Sequence, residues 1–155
     1  MNRKILSFVF SAIALFAPTG AYALDHYSPQ VAKSVRHEFG GIRQDYFTSG
    51  RVSDQVMMGL GIPDPTKPLT DGNYLISGCR HHNCPEKSAV IVTPAGTMLA
   101  AGLIHFRCTP RDCDSVPHLT IFMTKRNDRP AFVQELQDWA AREGYKGAAE
   151  RQTLR

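Results

Sequence analysis

The stretch of this 155-residue chain with the most chemistry in it is Cys79-Arg80-His81-His82-Asn83-Cys84, which sets two imidazoles, a guanidinium and an amide between two cysteines. None of the four enclosed side chains is apolar, so the loop has nothing to bury and points at water or at a partner. Closed by a disulfide, it would be a rigid probe, because a ring has already lost entropy that an open loop loses on binding. With reduced cysteines, His81 and His82 would instead be ligand types for zinc or copper. Disulfide formation competes with that reading, and adjacent histidines on an extended backbone aim poorly at one ion. The plainest alternative is a hairpin end carrying solvated polar residues.

A second C-x4-C unit follows, Cys108-Thr109-Pro110-Arg111-Asp112-Cys113. Four cysteines allow three connectivities, and sequence alone does not choose among them. The local pairs, Cys79 with Cys84 and Cys108 with Cys113, are favoured because each would close the neck of a short loop between apparent strands. The second loop reads as a structural staple, with a secondary contact as the lesser alternative.

Other chemistries find little support. There is no G-x-S-x-G, H-E-x-x-H or glycine-rich phosphate loop, and C-x4-C is not the C-x-x-C of thiol oxidoreductases. His26, His37, His105 and His118 show no spacing that would complete a metal site. The expectation is therefore a protein that is not an enzyme, with no catalytic residue, no cofactor and no metal.

Arg3 and Lys4 precede an apolar run from Ile5 to Pro18, and Ala21-Tyr22-Ala23 supplies an A-x-A cleavage pattern. Residues 1–23 are thus expected to be a signal peptide, too short in its apolar part for an anchor. Residues 24–155 then form one domain in the periplasm, an oxidising compartment where paired cysteines are the rule. Removing the leader takes the formal charge from +4 to +2. So mild an excess argues neither for nucleic acid nor for membrane insertion after cleavage.

The elements that must carry the loops are legible from periodicity. Val31, Val35 and Phe39 at four-residue steps, with Ser28 as a cap and Pro29 in the first turn, give a helix before Gly40-Gly41. A shorter helix starts at Ser53-Asp54 and runs to Gly61, with Met57-Met58 read as core filling. Ile62 to Gly72 reads as a polar connector. Strands are expected at Tyr74–Ser77, Ala89–Thr93, Met98–Phe106 and His118–Thr124, with Thr93-Pro94-Ala95-Gly96 as a hairpin turn. The last helix carries Phe132, Val133, Leu136, Trp139 and Ala140 on one stripe, with Asp128 as cap, Pro130 in the first turn and Gly144 as stop. Trp139 is expected against the sheet, and the tail after Gly147 is expected to fray. The fold class is α+β, a central antiparallel sheet of about five strands with helices packed against it.

The run Gly72-Asn73-Tyr74-Leu75-Ile76-Ser77-Gly78 leading into the first cysteine loop, and Pro85-Glu86-Lys87-Ser88-Ala89-Val90-Ile91-Val92 following it, resemble the Ivy family, inhibitors of vertebrate lysozyme. The likeness covers about residues 70–106. Family members carry a strand, a C-K-P-H-D-C loop and an apolar strand. The resemblance implies that the loop histidine, which by position is His82, enters the active site of a glycosidase, with Arg80 standing where the family has lysine. The family's loop proline is His81 here and its loop aspartate is Asn83, which loosens the backbone and removes a charge. The partner so implied is a lysozyme, C-type first, or a bacterial lytic transglycosylase, and the role is peptidoglycan protection. A mature chain that is itself slightly basic gains no steering by net charge toward basic lysozymes. Family members can form dimers, and nothing in the sequence decides for or against a homodimer.

Overall fold

The computed structural model describes residues 28–109 and 111–154. The expected signal peptide lies outside them. Among the described residues no helix is long and apolar enough to cross a membrane.

In chain order the elements are α1 (Pro29–Phe39), α2 (Val52–Gly59), β1 (Ile62–Pro63), β2 (Lys67–Pro68), β3 (Tyr74–Arg80), β4 (Asn83–Val92), β5 (Met98–His105), β6 (His118–Thr124), α3 (Pro130–Arg142) and β7 (Ala149–Leu154). The class is α+β. One seven-stranded sheet runs β1-β3-β4-β5-β6-β7, with β2 also on β3, and every pairing is antiparallel except β6 with β7.

Helices cover both faces, so the central strands are apolar on both sides and β5 is buried along its whole length. One face packs Ile76, Val90, Ala101, Leu103 and Phe122 against Val31, Val35 and Phe39 of α1 and Val56 of α2. The other packs Leu75, Ala89, Ile91, Ile104 and Ile121 against Phe132, Leu136 and Trp139 of α3. Trp139 is 2% exposed, against the sheet as its stripe position requires. Gly102 of β5 makes room for it, since a Cβ there would lie 3.2 Å from Trp139 Cζ3.

Four sequence expectations are corrected. The tail after Gly147 is not frayed: residues 149–154 add the parallel strand β7, and Leu154 is buried in the α1–α2 face. The polar connector holds two short strands, because Ile62 and Lys67 reach β3 as its edge partners. Together these add three strands to the four that were located in the sequence, making a sheet of seven rather than about five. The caps differ too. Ser28 stands at the N-cap of α1 as expected, but its Oγ donates to Gln30 Oε1 instead of accepting from a helix-end N–H, and the N-cap position of α3 is held by Arg129, not Asp128. Met58 is 36% exposed instead of filling the core, while Met57 packs against it.

Candidate functional site

Both cysteine pairs are disulfides, Cys79–Cys84 and Cys108–Cys113, and no cysteine is free. In an antiparallel order the β3–β4 turn and the β5–β6 connection leave the same end of the sheet. The two strand pairs from which they leave lie two strand spacings apart, about 10 Å.

The first loop is tighter than its sequence suggested. Arg80 pairs with Asn83, so the turn is only two residues, His81 and His82. Both side chains are exposed. His82 has φ 61°, the only described non-glycine residue with positive φ. A two-residue turn with only its second residue in the left-handed region has the sign pattern of type II, whose first central position favours proline. His81 occupies that first central position. Histidine tolerates the left-handed region better than bulky or β-branched residues do.

Below the turn the ladder is irregular. Cys79 opposes Lys87 while Arg80 opposes Asn83, so Cys84, Pro85 and Glu86 bulge from β4 without partners. Pro85, which has no N–H to pair, fits such a bulge. Glu86, on the same alternation as Ser88 and Val90, faces inward, where it is 4% exposed and pairs with Arg80 Nη1. The same Nη1 donates to Phe47 O at 3.1 Å. Arg80 is thus drawn away from solvent, contrary to the expectation that every loop side chain faces outward.

Phe47 O is itself held in place. Gln55 of α2, 1% exposed, accepts from Tyr46 N–H at 2.9 Å and Phe47 N–H at 2.8 Å, and its Nε2 donates to Gln44 O at 2.6 Å. One buried amide therefore orders the segment 44–47, which receives Arg80 and so braces the hairpin against the helical face. Sequence reading missed Gln55, because a polar residue on a short helix looks solvent-facing until the loop it satisfies is known.

The second loop stands on a polar cluster. His105, at the end of β5, is 2% exposed, with Nε2 3.0 Å from Thr120 Oγ1 and Nδ1 without a partner among the described residues. Tyr46 meets its ring edge-on at 4.7 Å, and His118, its cross-strand partner, stacks at 5.8 Å. Burial, then the neighbouring His118, lowers the His105 pKa to about 4. Burial raises that of Tyr46, whose hydroxyl accepts from Gln152 Nε2 at 3.0 Å. His118 Nε2 lies 2.9 Å from Asp114 Oδ2, and Arg107 pairs with Glu150 of β7. His105 and His118 looked unrelated along the chain, and only the β5–β6 register brings them together.

Between the second loop and the Gln55-ordered segment lies a cavity of about 300 Å³, lined by Asp45–Ser49, Phe106, Cys108 and Thr109. Among the described residues no group of three or more His, Cys, Asp or Glu side chains is placed to hold a metal ion. With all four sulfurs in disulfides, the His81–His82 loop has no thiolate to add to its imidazoles. What the sheet end offers chemically is two exposed imidazoles on a clamped turn. Comparison of the chain with family models, with curated proteins and with solved structures finds no match.

Proposed function

We propose that this protein is a periplasmic inhibitor of a lysozyme-type glycosidase, acting by insertion of the Cys79–Cys84 hairpin into the target's active-site cleft, with His82 leading. The observation that carries the reading is the pairing of an exposed two-histidine turn with a brace of one disulfide, one ion pair and one backbone acceptor. The resemblance to the Ivy loop adds to it. That family's proline falls at position 81, the first central residue of the turn, and its inhibitory histidine falls at His82.

The chemistry follows from the target. A retaining glycosidase holds its two carboxyl groups about 5–5.5 Å apart, one protonated as general acid and one ionised. A neutral imidazole carries one N–H donor and one nitrogen acceptor on different edges. A single ring between the carboxyls would accept from the acid and donate to the carboxylate, the latter a charge-assisted bond. Acid and nucleophile would then be occupied together, with no reaction at the inhibitor. Lytic transglycosylases, which also centre on a carboxyl in a cleft, are the second target class.

The test is inhibition by the purified, oxidised protein and by His82→Ala against a panel of C-type, G-type and bacterial muramidases and lytic transglycosylases. Inhibition of any member, lost in His82→Ala, is the expected result and names the target. A native protein that inhibits none, or a variant equally potent, overturns the reading.

A further inference from the structure

The end of the sheet opposite the disulfide loops holds a cleft of about 450 Å³, between α1 on one side and the β4–β5 turn and the segment after β6 on the other. That volume is in the range of small-molecule sites. Lys33 and His37, one helical turn apart on α1, line one wall, and Arg126 lines the other. Glu38, the only carboxylate on the lining, lies 3.3 Å from His37 Nδ1. Neither Lys33 nor Arg126 has an ion-pair partner among the described residues, so both charges on the facing walls are open to a ligand.

The floor is fixed by hydrogen bonds. Met98 N–H donates to Ser34 Oγ at 2.8 Å, joining α1 to β5. Asn127 Nδ2 donates to Thr124 Oγ1 at 3.0 Å, which donates to Leu99 O at 3.1 Å. Gly96, at φ 79°, closes the turn against α1 so tightly that a Cβ would lie 3.0 Å from Gln30 Cβ. The walls are therefore set before any ligand arrives. Gln30 and Thr97 add neutral polar groups beside the two cations.

We propose that this cleft binds an anionic sugar-sized ligand, its carboxylate or phosphate held between Lys33 and Arg126 and its hydroxyl or amide groups meeting Gln30, Thr97 and Asn127. Arg126 offers a planar fork and Lys33 a point charge, a combination suited to either anion. The neutral polar groups discriminate against a bare ion, which would leave most of the volume unused. The proposal is independent of the glycosidase reading, since the two sites lie at opposite ends of the strands.

The experiment titrates the full-length oxidised protein, by calorimetry and by amide chemical shifts, with three probes sharing one ring: N-acetylmuramic acid, N-acetylglucosamine 6-phosphate and neutral N-acetylglucosamine. At low salt at least one anionic sugar is expected to bind with Kd of about 1 mM or tighter, at least tenfold tighter than the neutral sugar. Shifts should centre on residues 30–38, 95–98 and 124–127. Binding to the acid alone identifies a carboxylate site, binding to the phosphate alone a phosphate site, and binding to both a general anion site. Half-molar salt should weaken binding severalfold. Lys33→Glu with Arg126→Glu should abolish it without lowering the melting temperature, because both side chains are exposed. Failure of both anionic sugars to bind, equal binding of the neutral sugar, or unchanged binding by the double variant overturns the proposal.

Discussion

Replacing Arg80 by alanine tests whether this residue holds the hairpin or touches a target. Its side chain is 29% exposed and that of Glu86 6%. Deleting the guanidinium strands a nearly dry carboxylate and leaves Phe47 O without its donor. Removing one partner of a buried ion pair costs about 3–5 kcal/mol, and water admitted on the Arg80 side reduces this to about 2–3 kcal/mol. For a domain of this size that lowers Tm by about 8–12 °C. Thermal and urea unfolding of Arg80→Ala, Glu86→Gln and the double variant form a cycle, with a coupling above about 1 kcal/mol expected. Arg80→Lys keeps the charge but not the fork, and should recover only part of the loss. If the coupling is near zero and Arg80→Ala melts like the native protein while inhibition disappears, the brace is wrong and Arg80 is a contact to the target.

Acidification should destabilise the second-loop end through His105: its folded pKa lies below the unfolded value, so the unfolded chain takes up the proton first. The stability it contributes is complete above about pH 6.5 and falls by about 3 kcal/mol as pH drops toward 4; urea unfolding at pH 7 and pH 4.5 measures this, and His105→Gln should flatten the difference. Gly59→Ala sets a Cβ 2.0 Å from Ser88 Oγ and 2.7 Å from Phe47 Cε2, so chemical unfolding should show a loss of about 2–3 kcal/mol. Trp139→Ala empties the α3 face and should cost about 3–5 kcal/mol by the same measurement. His82→Gly relieves a left-handed residue, so its stability should stay within about 1 kcal/mol of native or rise, while inhibition is lost; a collapse of the fold would show that the ring packs rather than probes.

Legibility in the sequence followed burial. The α1 and α3 stripes and the four long strands were readable because apolar side chains at fixed periods have one low-energy arrangement each. Residues 149–154 were not, since Glu150, Arg151 and Gln152 have no apolar period. Their strand exists because the free edge of β6 accepts hydrogen bonds and Leu154 finds the core. The cysteine loop was readable as a site from composition alone, but the roles inside it were not. Nothing in Cys79–Cys84 says that Arg80 turns inward, because its acceptors, Phe47 O and Glu86, both lie outside the loop, one of them far back in the chain. Gln55 and the His105–His118 pair were hidden for the same reason, being polar groups whose partners are set by tertiary register.

If the hairpin is the inhibitory element proposed above, the brace matters because of what it leaves free. A disulfide alone would close the neck of the hairpin while letting its tip twist about that neck. Arg80 adds one tie across the hairpin, to Glu86 of β4, and one to the segment outside it, Phe47 O, whose backbone Gln55 fixes. The remaining soft coordinates are the backbone angles of His81 and His82 and the side chains of those two residues. Ordering a mobile side chain on binding costs about 0.5–1.5 kcal/mol, so burying His82 in a cleft would cost little more than the entropy of one imidazole. On the proposed function, that economy would let a tip without apolar surface bind through two hydrogen bonds, and loss of the brace would weaken inhibition without any contact to the target being removed. Gln55→Ala, far from any target, should therefore weaken inhibition in proportion to the hydrogen-exchange protection lost at Tyr46 and Phe47.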